Sequence, residues 1–600
     1  MWFELNSSSH AEFLLKLSFY CKLVLELTPH KAQLKSSVSR IPLRRKLKLS
    51  PALLLLLAAP AALLLSHLGA SRDFVRAESY FALGARLMMD EGNWLSPHAP
   101  DEPVLNKPPL QYWLTGLTYK LFGPGFATAR LPSAIASLLV LVVVYLLGTR
   151  LFERTAGWFA VGSLMTSYLF WAFSRTAMSD MLLALCVSSA LACFIAVVTG
   201  KAARNEMLVA LCGHLFVALG VLAKGPVAVV LVAGPLLFEL LLSRQWSMLK
   251  SLRILRGALI ILAVAGPYFL LLYLRLGIEP LQSFFIGENL QRFTGEIYSY
   301  ATRPVWHLPL AFMSDFAPWS LLLFPAIYFD WRNASLSPQE RRARRLIYLW
   351  LFFPLVFFSF SHFKLDYYLL PAMPAAALAV GGFLARAPGL SPWAHRFIYA
   401  FTILFSLVVI LASVIAMRIA AGLLLDTSFG WLMLASSTGA FLFVLHSVYK
   451  GWPRRAAWSL IFSIWFVLLV FEWTLAPALS QFQPVGQLAA HVPQSAAHIY
   501  TSRGASDWAN TLAFHLPSDK RVIRLATDSG DARLKEVLKR EAGVVVLIRE
   551  EEYERLLAEG IALRPLAEGE TLGHGGLTLR MFSKPERTRL RIVQGAGGGG

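Results

Sequence analysis

Four short motifs, Arg72-Asp73-Phe74-Val75-Arg76-Ala77-Glu78-Ser79-Tyr80, Gly92-Asn93-Trp94-Leu95, Asn106-Lys107-Pro108-Pro109-Leu110 and Ala129-Arg130-Leu131-Pro132, punctuate one interval of the chain. It is a long, charge-bearing and proline-broken stretch between the first strongly apolar run and a series of others. A body made of such runs has few places to hold polar chemistry, so residues 72–132 read as the front of an active site.

The runs themselves set the class. The chain has 600 residues, of which 56% are hydrophobic and 15% charged, with a mean hydropathy of +0.55; soluble domains carry about 25% charged residues. Apolar segments of about 20 residues suffice to cross a bilayer as helices, which satisfy their own backbone polar groups. Thirteen such spans are expected, at 50–70, 127–149, 155–173, 177–199, 206–222, 225–243, 256–275, 307–329, 346–361, 367–385, 397–417, 428–448 and 457–476. Uninterrupted runs of this length exclude an outer-membrane barrel.

The formal charge of +20 does not point to nucleic acid, because its Lys and Arg residues sit in short clusters between the runs. Arg150 and Arg154, Lys201 and Arg204, Arg244, Lys250 and Arg253, residues 341–345, Arg386 and Arg396, and Lys450, Arg454 and Arg455 fall on alternate connections. That is the positive-inside pattern, with anionic lipid heads as the partner. It places the N-terminus in the cytoplasm and residues 71–126, 276–306 and the C-terminal part on the opposite side. Residues 1–49, basic and with only a broken apolar patch, suit an interfacial or cytoplasmic segment better than a signal peptide.

From 477 to 590 the composition is that of a small α/β domain. Strands are expected at 498–500, 521–525, 544–548 and 577–581 and helices at 531–542 and 550–559, with 591–600 as a flexible tail. Neither a dinucleotide fingerprint nor a phosphate-binding loop occurs. The cysteines, Cys21, Cys186, Cys193 and Cys212, lie in apolar stretches without metal-ligand spacing. His214 has no histidine or carboxylate at a helical ligand spacing, so it reads as a core residue.

Ionisable groups at the ends of apolar runs are functional suspects, because they are costly there. On the outer side they are Arg76, Glu78, Lys107, Arg130, Arg175, Asp180, Lys224, Glu288, Arg292, Arg303, Lys364 and Asp366. Cations gathered with one or two carboxylates suit a phosphate-linked substrate plus a base. Each also has a plainer reading. Glu78 could cap a helix, Lys107 could snorkel, Arg130 could bind phosphate or pair structurally, and Arg175 and Asp180 could pair with each other.

Glu78-Ser79-Tyr80-Phe81-Ala82, Gly92-Asn93-Trp94-Leu95-Ser96-Pro97, Lys107-Pro108-Pro109-Leu110-Gln111-Tyr112-Trp113, Phe122-Gly123 and Ala129-Arg130-Leu131-Pro132-Ser133 form an ordered succession. It continues with Arg175-Thr176-Ala177, Asp180, Leu222-Ala223-Lys224-Gly225-Pro226, Glu288-Asn289-Leu290-Gln291-Arg292-Phe293, Pro318-Trp319-Ser320 and Lys364-Leu365-Asp366-Tyr367-Tyr368-Leu369-Leu370-Pro371. Over residues 50–390 this resembles the polyprenyl-phosphate-dependent glycosyltransferases of the GT-C superfamily, in the branch of the lipid A aminoarabinose transferases and protein O-mannosyltransferases.

The resemblance implies an α-helical polytopic GT-C fold with a small outer α/β domain. It also implies inverting transfer of a sugar from an undecaprenyl-phosphate-type donor to a lipid A, glycan or protein acceptor at the outer face of the inner membrane. By that analogy Glu78 and Lys107 are catalytic, and Arg76, Tyr80, Arg130, Arg175, Asp180, Lys224, Glu288, Arg292, Lys364 and Tyr367 bind substrate. Two departures stand out. The usual Asp-Glu pair is Ala77-Glu78, so Glu78, Asp73 or Asp101 must serve as base. Asn106 and Asn289 replace the family's metal-ligating acidic residue and histidine, so no tightly bound transition metal is expected, although a loosely held divalent ion shared with the donor phosphate is compatible. A transporter or lipid flippase is the alternative class; paired repeats and charges at mid-span would mark it, and neither is found.

Overall fold

The computed structural model describes residues 51–69, 74, 76–98, 105–202, 205–295, 303–525, 530–540, 543–571 and 588–595. The N-terminal segment 1–49, Asp73, Asp101, the side chain of Arg76, the strand expected at 577–581 and residues 596–600 lie outside them. The chain divides after Leu56, and the features below belong to its second unit, Leu57–Gly600.

Among the described residues eight helices are long and apolar enough to cross a membrane: Phe126–Leu151, Asp180–Val198, Glu206–Lys224, Ile254–Leu276, Asp366–Ala385, Pro392–Gly422, Ser428–Tyr449 and Pro453–Phe482. His307–Asp315 and Trp319–Arg332 make a ninth if counted together, with a bend of 106° between them. The other expected spans are helical but shorter, broken or charged. Val227–Ser243 has 17 residues and Pro51–Leu64 has 14. The stretch 155–173 is broken at Thr166 and Ser167, whose hydroxyls donate back to Gly162 O and Leu164 O at 2.7 Å and compete with the helix. Pro338–Ser359 runs through Arg341–Arg345 into the apolar part, opened by a Ser337–Glu340 capping box.

Burial sorts these helices into centre and rim. The apolar stretch of Asp366–Ala385 is 94% buried and that of Asp180–Val198 78%, against 22% for both Ile254–Leu276 and Pro392–Gly422. The rim helices present residues such as Leu255, Leu259, Leu262 and Leu411 outward, as lipid-facing surfaces do. Small residues let the central helices touch: a methyl added to Gly381 would lie 2.5 Å from Ala156 O, and one on Gly148 would lie 3.0 Å from Gly157 Cα. Gly381→Val should therefore push the Met373–Ala385 and Arg154–Met165 helices apart and destabilise the protein by about 1–3 kcal/mol, read as a lowered midpoint of thermal unfolding in detergent.

At the other end of the helices, the Arg341–Arg345 run does more than signal topology. Arg342 and Arg345 bind Glu239, fully buried, at 2.9 and 2.6 Å, and Arg344 and Arg386 both pair with Asp330, which also accepts from Tyr348 Oη at 2.7 Å. His214 Nε2 donates to Leu252 O, 2.8 Å away, with its ring beside Phe194, so its neighbours are those of a core histidine.

The C-terminal part holds a five-stranded sheet in the order β2-β1-β3-β5-β4, with β1 His498–Thr501, β2 Arg521–Arg524, β3 Val545–Arg549, β4 Leu563–Thr571 and β5 Thr588–Gly595. β1 pairs parallel with β2 and β3, whereas β5 runs antiparallel to β3 and β4. Alternation along β3 puts Val545 and Leu547 into a core with Trp508 and Leu512, and Val546 and Ile548 into one with Leu534 and Leu556. The helices Gly530–Arg540 and Glu550–Ala558 fall where expected. The tail is corrected: residues 591–595 are the paired end of β5, because Ile592 and Val593 bring apolar side chains to both cores.

Candidate active site

Lys107 sits in the turn before Leu110–Phe122, whose entry is fixed by Pro108 and Pro109; proline is tolerated there because the first helical N–H groups have no partner. Its ammonium donates to Asn106 O and Oδ1, at 2.9 and 2.6 Å, and to Glu288 Oε2 at 3.0 Å. Glu288 lies in a π-helical turn, Ser283–Gln291, and the same Oε2 accepts from Arg292 Nη1 at 2.7 Å. Arg292 packs over the Phe363 ring at 4.4 Å and engages the Tyr368 hydroxyl.

Lys224 ends the Glu206–Lys224 helix, where a cation complements the dipole, and Asp180 begins Asp180–Val198, where an anion does. The two form an ion pair, and the Lys224 ammonium lies 5.6 and 5.1 Å from the Tyr367 and Tyr368 ring centres. Gly225, at φ 87°, turns the chain here, and a methyl on it would strike Phe284 at 2.5 Å. Burial holds the Lys107 ammonium below the usual lysine range; the Glu288 carboxylate opposes this, while the nearby charges of Arg292 and Lys224 add to it. Two tyrosines and the pairs Lys107–Glu288–Arg292 and Lys224–Asp180 thus make one polar cluster, with three cations against two carboxylates. Lys364 is close in sequence but turns inward, donating to Ser361 O at 2.6 Å.

Glu78 lies elsewhere. It is 0% exposed, and Arg130, 1% exposed, donates to its two oxygens at 3.0 and 3.4 Å, while the Ala177 N–H donates to Oε1 at 2.9 Å. Arg130 also donates to Leu68 O at 2.7 Å and faces the Phe74 and Phe126 rings. Arg175 pairs with buried Glu472 at 2.6 Å and donates to Leu63 O, Leu64 O and His67 O. Arg175 therefore satisfies carbonyls at the end of the Pro51–Leu64 helix, and Arg130 one in the turn that follows it. The pairing of Arg175 with Asp180, one of the two readings left open by the sequence, does not form: each has a different partner, brought by the helices that follow. Tyr80 lies beside Arg524 of the C-terminal sheet, 5.8 Å from its ring centre.

Arg303, His307 and Asp366 form a third group, with His307 Nε2 2.8 Å and Arg303 Nη1 3.2 Å from Asp366 Oδ1. Sequence reasoning missed His307, Glu472, Glu239 and Asp330, polar residues in apolar surroundings whose cost was the signal available, and quoted Tyr368 within a motif without giving it a role. No three His, Cys, Asp or Glu side chains converge as metal ligands among the described residues.

A polytopic helical body with this polar cluster at one end and a small sheet domain beside it is the architecture that the resemblance implies. Residues 106–270 match the Dolichyl-phosphate-mannose-protein mannosyltransferase family. The fold is similar to that of ArnT from Cupriavidus metallidurans bound to undecaprenyl phosphate, with a TM-score of 0.68, 22% identity, and coverage of 90% of this chain and 98% of that one. In sequence the chain is similar to the undecaprenyl phosphate-alpha-4-amino-4-deoxy-L-arabinose arabinosyl transferase of Pseudomonas aeruginosa, 31% identical over 316 residues, 52% of this chain and 55% of the relative. A protein of Aquifex aeolicus is 30% identical over 319 residues, 53% of this chain and 61% of its own length. The chain thus spans less than two thirds of these relatives.

Proposed function

We propose that the protein is an inverting glycosyltransferase that moves a sugar from an undecaprenyl-phosphate-type donor to a lipid A, glycan or protein acceptor. The reaction takes place at the outer face of the inner membrane, with the N-terminus cytoplasmic and the C-terminal domain outside. The observation that carries this reading is the Lys107–Glu288–Arg292 cluster beside Lys224 and the two tyrosines, of which Lys107 and Lys224 lie within the stretch that matches a lipid-phosphate sugar transferase family.

Lys107, Lys224 and Arg292 neutralise the charge that builds on the departing lipid phosphate. A lysine whose charge burial disfavours gains most from an arriving anion, and Lys107 is such a group. Glu288 and Asp180 hold these cations in place while the phosphate is absent. Tyr367 and Tyr368 frame the phosphate site, and Lys364 supports the turn that carries them. Glu78, Arg130 and Arg175 form the buried frame on which this loop is built, with Tyr80 and Arg524 toward the acceptor.

The purified protein, given polyprenyl-phosphate sugars and candidate acceptors, should release polyprenyl phosphate and label one acceptor class. Mass spectrometry of lipids and surface glycans after gene deletion should show the loss of one sugar substituent; an unchanged profile, with no transfer in vitro, counts against the reading.

A further inference from the structure

Glu78, with both oxygens engaged and no exposed surface, is in no position to take a proton from a substrate. Asp180 and Glu288 are buried and bound to the cations they hold. Asp315 is buried too, with Oδ2 lacking any hydrogen-bond partner among the described residues.

Asp366 differs from all of these. Its side chain is 38% exposed. Oδ1 is anchored by His307 and Arg303, while Oδ2 has no hydrogen bond among the described residues. Nε2 of His307 must carry a proton, since two lone pairs facing each other at 2.8 Å would repel. The same nitrogen cannot then accept from Arg303, so the guanidinium proton also goes to the carboxylate. A carboxylate fixed through one oxygen and open at the other has the geometry of a general base. Asp366 immediately precedes Tyr367, whose ring neighbours Lys224. The carboxylate is thus carried one residue from a ring of the phosphate cluster.

We propose that Asp366 is the catalytic base, oriented by His307 as a positioning residue, and that the acceptor is a hydroxyl group. This role presupposes the glycosyl transfer proposed above. The acceptor O–H gives its proton to Asp366 Oδ2 as the oxygen bonds to the anomeric carbon. The bond from that carbon to the phosphate oxygen breaks, and its electron pair leaves with the polyprenyl phosphate. The proton on Asp366 then passes to water.

Asp366→Asn should lower kcat by about 10²–10⁴-fold, the usual contribution of a positioned base, with binding of undecaprenyl phosphate within about twofold of wild type. Asp366→Glu should restore part of the rate, guarding against a folding defect. His307→Ala should lower kcat at unchanged donor KM, and His307→Asn, which can still donate to Oδ1, should recover part of it. Wild-type kcat in Asp366→Asn, beside an active wild type, would overturn the assignment of Asp366 alone. Absence of transfer by the wild type with every donor and acceptor supplied would overturn glycosyl transfer, and this role with it.

Discussion

Replacing Lys107 with alanine is expected to lower the rate of sugar transfer by about 10²–10³-fold, as removal of one preorganised charge from a site of developing negative charge does elsewhere. The loss should appear mainly in kcat, because leaving-group charge is larger in the transition state than in the bound donor. The fold should survive, since Glu288 keeps Arg292 at 2.7 Å when Lys107 is gone. Single-turnover measurement of polyprenyl phosphate release, together with thermal unfolding in detergent, separates the two effects. An unchanged rate would remove Lys107 from the chemistry and, with it, the cluster as the phosphate site.

Arg130→Ala is expected to act in the opposite way, on stability. It strands the Glu78 carboxylate in a site with no exposed surface and frees the Leu68 carbonyl. Breaking a buried pair from one side costs about 3–5 kcal/mol, because the remaining charge stays buried. The double variant Glu78→Gln/Arg130→Met should recover much of that loss, since no charge is left uncompensated. Thermal unfolding of the three variants measures this. Glu78→Gln then discriminates between roles: a lowered unfolding midpoint fits the frame, whereas unaltered stability with abolished turnover would return the base to Glu78.

The order of the apolar runs made the helical membrane body legible, since a run of such length can bury its backbone polar groups only as a helix. The same reading overestimated uniformity. It missed the break at Thr166 and Ser167 and the bend between Asp315 and Trp319, because hydropathy averages over the local hydroxyls and prolines that end helices. In the sheet domain, β1, β2 and β3 were visible as apolar or β-branched runs. β5 was not, because Arg589, Arg591 and Gln594 dilute the pattern of a strand that gains its partners from β3 and β4.

For the site, the cost of a charge in an apolar setting named the ionisable residues, and the alternation of apolar runs with basic clusters assigned them to one end of the helices. Their partners depended on the tertiary structure. Glu78 and Lys107 are neighbours in one loop by sequence, yet one is sealed against Arg130 and the other opens onto Glu288, 181 positions away. Arg175 and Asp180, five apart, chose Glu472 and Lys224. The sequence by itself therefore determined that this is a polytopic helical protein with charged residues gathered in the loops at one end of its helices. Only the folded chain decided which of those charges are structural and which remain available. A buried charge must be met at hydrogen-bonding distance, and the helix that meets it comes from wherever the packing brings it.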